Sequence, residues 1–500
     1  MMTVLPRKGT SPRSRDIPVA KDSGHSCPGS ALRDGGQECP PALGTRMSLL
    51  LVMMSLAGCT VGPRYQEPKP DAPGSFATIP AGASTSADSQ WWKRFNDSQL
   101  NSLITQAEEQ NRDLKVADAR LKEARALWTQ ARYDLLPTVN SGAGYSNSQA
   151  SKAQSFSGTT QRSELYDAGL DATWELDLYG RVRNAVKAAL ATEEAVQAER
   201  DALLIALRAE VAVNYLLLRG AQAQLNVAEQ NATNQADSLR IAEASLQGGR
   251  GTQLDVARAR AQWNATLASV PQFQTSIDQS AHRIAVLCGV APSALRGQLR
   301  GAKTMPSTPS KISLSKPTDV LRQRPDIRVA ERNLAAATAR VGIAAADLFP
   351  RVTFNGSIGL EGSTLSNVAR SGAAGYNIGP RLSWPAFDLG RVRQQVKAVG
   401  ARAEAALATY EQTVLQALEE AENALTEYDR ERLRLSYLRE SSKSAEEAAS
   451  LARQRYKDGV ANFLDVLDAE RVALQAQNDA VASQVRAATA WVTVNKAMGR

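Results

Sequence analysis

The sequence is short of the residues from which most catalytic and metal sites are built. Among its 500 residues there are two histidines, His25 and His282, so histidines cannot form a metal site within one chain. A Ser-His-Asp triad would have to use His282. The four cysteines, which include no Cys-x-x-Cys pair, are Cys27, Cys39, Cys59 and Cys288. We therefore expect no disulfide framework, no metal site, no cofactor and no enzyme activity.

The chain also lacks a large excess of charged residues of either sign. The chain has 59 Lys and Arg against 51 Asp and Glu, a formal net charge of +8. Without residues 1–58 the chain has 52 Lys and Arg against 47 Asp and Glu. Because no basic cluster with interleaved aromatic residues occurs in the remainder, we expect no nucleic-acid partner.

The N-terminal region reads as a targeting segment. Residues 48–57 form a ten-residue apolar run behind Arg46, too short to cross ~30 Å of hydrocarbon but suited to a signal peptide. The run ends in Leu56-Ala-Gly-Cys59, which resembles a bacterial lipobox, so we expect lipidation of Cys59. Thr60, where an Asp would signal retention in the inner membrane, fits the outer membrane. We interpret residues 1–46 as an extension or a wrongly chosen start, 47–58 as h-region and lipobox, and 59–100 as a lipid-anchored segment.

The remainder of the chain repeats itself once. The 16 residues from Trp174 align with those from Trp384 at an offset of 210, with eight identities. The same offset matches Gly249 with Gly459 and Asp255 with Asp465. The sequence therefore predicts an internal two-fold repeat. Its parts are repeat 1 at 101–288, a linker at 289–320 that is rich in Pro, Ser and Lys, and repeat 2 at 321–500.

Each repeat has two segments with the period of a β-strand. From Tyr166 to Leu176 every second residue is apolar and the residues between are polar or Gly, as in a strand between lipid and water. A half-buried soluble sheet is the alternative, and Pro380 weakens one strand because it cannot donate to the ladder. The expected strands cover residues 137–148, 163–176, 350–360 and 376–385.

Each repeat continues with two long helices. No proline occurs between residues 181 and 270 or after Pro385, and apolar residues such as Leu407, Tyr410, Val414 and Leu418 recur at coiled-coil spacing. Glycine turns at 248–251 and 457–459 would fold each pair into a hairpin. The expected helices cover about 181–247, 252–288, 391–457 and 461–498.

Four amphipathic strands cannot close a membrane barrel, and an open sheet edge in hydrocarbon leaves backbone groups unpaired. Several chains must therefore combine their strands, and three chains give twelve. The predicted fold is mixed and mainly α, a hollow tube of several chains with a β-barrel in the membrane and a long soluble end of coiled-coil helical hairpins.

A set of ordered motifs along residues 59–500 carries a family resemblance. The motifs are Cys59-Thr-Val-Gly-Pro-Arg-Tyr, Trp91-Trp92, Phe95-Asn-Asp, Asn111-Arg-Asp-Leu, Leu321-Arg-Gln-Arg-Pro-Asp-Ile, Leu382-Ser-Trp-Pro-Ala-Phe-Asp and Tyr456…Gly459…Leu464-Asp-Val-Leu-Asp-Ala-Glu470. In them the chain resembles the outer-membrane factors of the TolC and OprM type, and its lipobox is similar to the NodT-like lipoprotein branch.

The resemblance implies a homotrimeric exit duct. Its trimeric 12-stranded transmembrane β-barrel, with four strands per chain, would lie in the outer membrane in contact with lipid and be continued by a long periplasmic α-helical barrel of coiled-coil hairpins. It implies two further partners, a periplasmic adaptor (membrane fusion) protein and an inner-membrane efflux pump of the RND type. Drugs, other toxic compounds or metal ions would be the substrates. A type I protein-secretion duct and a non-conducting structural envelope lipoprotein are the alternatives. The lipobox favours small-molecule efflux, and the amphipathic strands argue against a spacer.

The resemblance also points to gate residues near the second turn. Asp465 and Asp468 match aspartates that line the periplasmic entrance, and three copies of each would form two carboxylate rings that favour cations. Alternatively, Asp465 caps or solvates the start of a helix. The first repeat has Asp255 and Arg258 at the equivalent positions, and an Arg there could pair with an Asp of a neighbouring helix.

The remaining candidates support the turns or mark the membrane boundary. Tyr456 matches a position that joins neighbouring tip helices, and Phe463 and Leu464 either form an apolar constriction or pack in the coiled coil. Gly249 and Gly459 would lie where the adaptor docks. The residues expected at the periplasmic membrane boundary, with arginines that contact headgroups or are simply solvated, are Trp174, Trp384, Arg181, Arg183, Arg391 and Arg393.

Overall fold

A computed structural model describes residues 60–69, 72–80, 83–84, 90–149, 151, 153, 162–301, 304–309 and 312–500. All of them belong to one unit of the chain, which spans residues 56–500. The expected leader, the h-region and Cys59 lie outside the described residues.

The chain is mainly helical. The helices are α1 (Ser98–Gln110), α2 (Arg112–Tyr133), α3 (Arg181–Gln247), α4 (Gln253–Leu287), α5 (Pro317–Gln323), α6 (Pro325–Ala346), α7 (Leu389–Lys457) and α8 (Phe463–Ala497). Shorter helices cover Trp91–Phe95, Arg296–Leu299 and Leu365–Val368. Helix α3 has 67 residues and α7 has 69, so each is about 100 Å long. No helix within the described residues combines the length and apolarity needed to cross a membrane.

The strands form one antiparallel sheet of four. They are β1 (Thr138–Gln149), β2 (Arg162–Leu176), β3 (Arg351–Gly362) and β4 (Ala374–Ser383), in the order β1-β2-β3-β4. Ala83–Ser84 and Ile312–Ser313 form a separate parallel pair. Pro380 lies opposite Phe354 in β4, an edge strand of this sheet, where a residue without an N–H group is tolerated.

Helices α3 and α4 form the first hairpin, and α7 and α8 form the second hairpin. The two halves have the same element order, two strands followed by one long and one shorter helix. Absence of proline allows α3 and α7 to run without a break, whereas Pro271 lies inside α4 and removes one helix hydrogen bond.

Helices α2 and α6 were not predicted from the sequence. Asn111 starts α2, because its side-chain oxygen accepts a hydrogen bond from the Leu114 N–H at 2.9 Å. Pro325 occupies the first turn of α6, where its missing N–H costs nothing. Both helices pack on α3, and α6 also packs on α7. Each half of the chain therefore has three long helical segments beside its two strands.

Two tryptophans join the sheet to these additional helices. Trp174, near the end of β2, donates from Nε1 to the carbonyl oxygen of Leu135 at 3.0 Å, just after α2. Trp384 follows β4 and donates to the carbonyl oxygen of Leu348 at 3.1 Å, just after α6. The same contact thus fixes the strand ends to the helices in both halves.

Residues 60–69 and 72–80, which we name the strap, run along the helices without helix or strand structure of their own. The Val61 N–H donates to the Tyr179 carbonyl oxygen at 3.0 Å, between β2 and α3. Gly62 has a φ of +109°, and a Cβ there would lie 2.6 Å from the Cα of Gly342. Farther along, the Ala77 N–H donates to Glu422 of α7 at 2.8 Å. The strap therefore begins where the strands end and follows α7 away from the sheet.

The largest apolar cluster joins the two ends of the chain. Trp91 and Phe95 pack against Trp491 of α8, with ring centroids 5.7 and 5.1 Å apart. Trp91 also donates from Nε1 to the carbonyl oxygen of Arg500 at 3.4 Å. This cluster, which we name the equatorial core, fixes the middle of the long helices.

A buried guanidinium crosses the equatorial core. Arg219 of α3 is fully buried and donates to Gln222 Oε1 at 2.6 Å, to Gln99 Oε1 at 2.5 Å and to the Gly301 carbonyl oxygen at 2.9 Å. Its charge is spread over neutral acceptors from α1, α3 and the segment after α4. It therefore ties three parts of the chain together.

Substitution of Arg219 by Met should destabilise the protein by about 3 kcal/mol, because buried acceptors lose their donor. Arg240→Met, on the same helix, is the matched control, since Arg240 is exposed and, among the described residues, pairs only with Asp237 three residues away. Thermal unfolding followed by circular dichroism should show a lower midpoint for Arg219→Met alone. Equal midpoints for the two variants would contradict the role given to Arg219.

Candidate functional site at the hairpin turns

Both hairpin turns have the same backbone geometry. Gly249 and Gly459 have φ values of +67° and +76°, the left-handed region that favours glycine. In the first turn the Arg250 N–H donates to the Ser245 carbonyl oxygen at 2.9 Å, and in the second the Val460 N–H donates to the Arg455 carbonyl oxygen at 2.9 Å. These bonds end α3 and α7 in the same Schellman-type cap, so both turns are tight and defined.

The aspartates after each turn begin the next helix. Asp255 is the third residue of α4 and accepts hydrogen bonds from the N–H and the hydroxyl of Thr252 at 3.1 and 2.7 Å. Asp465 is the third residue of α8 and accepts one from the Asn462 N–H at 3.2 Å. Carboxylates at a helix N-terminus are favoured by its dipole. Both aspartates therefore have a capping role, as the sequence allowed for Asp465, while Asp465 itself remains exposed.

Asp468 lies one turn after Asp465 and is also exposed. Its Oδ1 accepts a hydrogen bond from Arg471 at 2.7 Å. Arg258 is exposed and has no hydrogen-bond or ion-pair partner within the described part of the chain. The structure thus places Arg258 and Asp468 near the turns but does not pair them within one chain.

An apolar group of side chains, which we name the tip cluster, lies behind the turns. Its buried members from three helices are Leu239, Ala242, Val256, Ala259, Phe463 and Val466. Phe463 is 4% exposed, and its ring centroid lies 5.1 Å from that of Tyr456. Leu464, the next residue, is 54% exposed. The sequence allowed either an apolar constriction or coiled-coil packing for these two residues. Phe463 packs, whereas the side chain of Leu464 stays exposed.

Glu470 is a buried carboxylate that the sequence analysis did not single out as a site residue. It is 3% exposed, accepts a hydrogen bond from the Ser238 hydroxyl at 2.7 Å and lies 3.6 Å from the Arg453 guanidinium. Burial raises the pKa of this carboxyl, although the Ser238 hydroxyl and Arg453 act in the opposite direction. The burial of Glu470 could have been inferred from its spacing in the sequence, because Phe463, Val466 and Glu470 lie on one helix face.

The arginines at the other end of the hairpins are largely paired. Arg181 binds Glu175 through Nε at 2.7 Å, and Arg183 binds Asp177 through Nε at 3.0 Å, with both arginine side chains about a third exposed. These contacts differ from the expected solvated side chains. In the second half the ion pair between Arg391 and Asp388 is exposed, so this interaction is weaker than those in the first half.

Arg393 is exposed and has no ion-pair partner within the described residues. Both arginines of the first half are therefore paired, whereas in the second half Arg391 is paired and Arg393 is not within the described residues. Within the same described part of the chain, no group of three or more His, Cys, Asp or Glu side chains is arranged to hold a metal ion.

Comparisons with known proteins identify relatives over most of the chain. The family described as "Outer membrane efflux protein" matches residues 103–290 and 317–500. Nodulation protein T of Rhizobium leguminosarum bv. trifolii is 30% identical over 453 residues, which cover 89% of this chain and 94% of that protein. The solvent efflux pump outer membrane protein SrpC of Pseudomonas putida is 31% identical, with 90% and 97% covered. The solved structure of the outer-membrane channel OprN has a TM-score of 0.84 and 41% identity, and covers 88% of this chain and 99% of that one.

Substitution of Phe463 by Ala should loosen the tip, because loss of a buried aromatic ring costs about 3 kcal/mol or more. Hydrogen–deuterium exchange should then become faster for amides of residues 456–470 and stay unchanged in the equatorial core. Leu464→Ala is the matched control, since that exposed neighbour contributes little packing. Similar exchange in the two variants would contradict the packing role of Phe463.

Proposed function

The chain belongs to the outer membrane efflux protein family and is the outer-membrane channel component of a tripartite efflux system; from this premise we propose that it is a passive exit duct for small molecules. An inner-membrane pump, of the RND type, supplies the substrate through a periplasmic adaptor. The relatives are efflux channel proteins rather than enzymes. Drugs, other toxic compounds and metal ions are the substrate classes that this duct would carry.

The observation that carries the proposal is the four-stranded sheet with one apolar and one polar face. Leu170, Ile358 and Tyr376 lie opposite one another on neighbouring strands and are all exposed, as expected of a face that contacts lipid. On the other face Asn140 donates to Asp171 at 3.1 Å, and Ser357 lies opposite Asp171. One face thus suits hydrocarbon and the other suits water.

Closure of this sheet requires further copies. Strands β1 and β4 have no neighbour on their outer sides within the described residues, and unpaired backbone groups in hydrocarbon cost several kcal/mol each. We therefore expect a homotrimer whose twelve strands close one barrel in the outer membrane. The two hairpins of each copy, together with α2 and α6, would form the helical barrel that crosses the periplasm. The sequence repeat would supply equivalent positions around this barrel.

The exposed aspartates after the second turn supply the gate. Three copies of Asp465 and Asp468 would form two carboxylate rings at the periplasmic entrance, with Asp255 behind them on α4. Like charges at such a constriction favour cations. Arg258, which has no ion-pair partner among the described residues of its own chain, is available to an aspartate of the adjacent copy, and Tyr456 holds the turn by its contact with Phe463. The same tips, around Gly249 and Gly459, would receive the adaptor.

The strap supports lipid anchoring at Cys59. Thr60 lies against Gly180, and Val61 bonds to Tyr179, both at the junction of β2 with α3. Thr60 therefore lies beside the end of the strands, where the outer-membrane surface would be. Acyl chains on Cys59 could insert at that level without rearrangement of the strap. Trp174 and Trp384 mark the same level, as tryptophans do at membrane interfaces.

Removal of the gate carboxylates should enlarge the conductance. In planar bilayers, the purified wild-type protein should give small, cation-preferring steps, and the Asp465→Ala/Asp468→Ala double variant larger ones with weaker cation preference. The control is Asp113→Ala/Asp134→Ala, which removes two exposed aspartates at the ends of α2, far from the turns. If neither wild type nor gate variant conducts after verified insertion, the exit duct is excluded in favour of a structural lipoprotein.

Lipidation can be tested by metabolic labelling with a palmitate analogue. The wild type should carry the label, and Cys59→Ser should lose it, because the sulfur is the attachment point. Cys288→Ser is the control, since that thiol is buried in the equatorial core. A label retained by Cys59→Ser would contradict the assignment of the lipobox.

A further inference from the structure

The two hairpins meet through a polar layer directly behind the tip cluster, which we name the seam. Asn231 of α3 donates to Gln477 Oε1 of α8 at 2.6 Å, and Gln477 donates to Glu446 of α7 at 2.9 Å. Closer to the turns, Ser238 of α3 and Arg453 of α7 converge on Glu470 of α8. Movement of one hairpin relative to the other must break the Asn231–Gln477 and Ser238–Glu470 contacts, which cross between them.

Glu470 is the deeply buried carboxylate of the seam, and it is incompletely paired. Its Oε1 accepts a hydrogen bond from the Ser238 hydroxyl and faces Arg453, whereas its Oε2 has no hydrogen-bond partner in the described structure. Gln235, one turn before Ser238 on the same face of α3, is also buried, and both its amide atoms lack a partner there. A buried ionised carboxylate with a free oxygen is costly, so this layer is poorly suited to a full negative charge.

The other charged groups on neighbouring turns pair with different partners. On α3, Asp237 pairs with Arg240 at 3.0 Å, and Glu243 pairs with Arg260 of α4 at 2.9 Å. On the second hairpin, Glu446 accepts bonds from Ser442 and Gln477, and Asp468 pairs with Arg471. Arg453 and the Ser238 hydroxyl are therefore the groups that face Glu470 and favour its ionised form.

We propose that Glu470 is a proton-controlled positioning residue of the gate: protonated, it allows the seam to stay closed, and ionised, it favours separation of the hairpins. This inference rests on the proposed function, because it gives the tip a means to respond to periplasmic pH. Glu470 does not touch the substrate. It acts through the position of α8, which carries Asp465 and Asp468.

The direction of the pH effect follows from burial. In the closed seam the pKa of Glu470 is raised, and separation of the hairpins would expose the carboxyl to water and return its pKa to the ordinary value. The closed seam therefore binds protons more tightly. Its extra stability is fully present below the ordinary pKa of a glutamate and is lost as the pH rises through the raised value. Opening should increase with pH, by at most about tenfold per pH unit for one such group.

Two measurements on the purified full-length protein test the proposal between pH 5 and pH 8. The first is open probability in planar bilayers. The second is hydrogen–deuterium exchange of amides in residues 466–478, corrected for the intrinsic pH dependence of exchange. In the wild type both should rise with pH. In Glu470→Gln, which has the shape of the protonated side chain, both should stay low and independent of pH.

Two further variants separate titration from packing. Ser238→Ala removes a bond to the ionised form, so its pH midpoint should move upward by about one unit. Glu446→Gln changes an exposed carboxylate of the same seam and should keep the wild-type profile. A wild-type profile in Glu470→Gln overturns the proposal. Absence of conductance in every protein, with the Glu470-dependent change in exchange retained, contradicts the exit duct but supports the switch.

Discussion

The unpaired backbone groups along the outer sides of β1 and β4 are the constraint on which this structure depends. A sheet with exposed Leu170 and Ile358 on one face is stable only where that face meets hydrocarbon, and there its edges must be paired. In the proposed trimer, association through the strands would bring the hairpins of neighbouring chains together as well. The arrangement proposed for the gate follows from this closure, because a ring of carboxylates requires several copies.

The long helices connect the sheet to the tip, but they are not held equally firmly along their length. Trp174 and Trp384 fix the strand ends to α2 and α6, and the equatorial core holds the middle of the helices around Arg219. Beyond this level the hairpins are joined by the seam and the tip cluster. The seam, which joins the hairpins through polar contacts, is therefore the part of the proposed helical barrel best suited to move.

Periodicity and proline-free length made the four strands and the four hairpin helices predictable from sequence, with ends in the structure close to those expected. Helices α2 and α6 were missed, although Asn111 and Pro325 are recognisable helix starts. Turn glycines and helix-start aspartates could be located by their offset of 210. The hydrogen bond between Glu470 and Ser238 could not, because the two residues are 232 positions apart in the sequence.

The equatorial core has a consequence for the biogenesis of the chain. Trp91 contacts Trp491 and the backbone of Arg500, contacts that span some 400 residues of sequence. Such nonlocal contacts cannot form until the last helix has left the ribosome, and they are slow to find. During synthesis the N-terminal aromatic residues therefore remain uncovered. The equatorial core should therefore be among the last parts of the chain to pack.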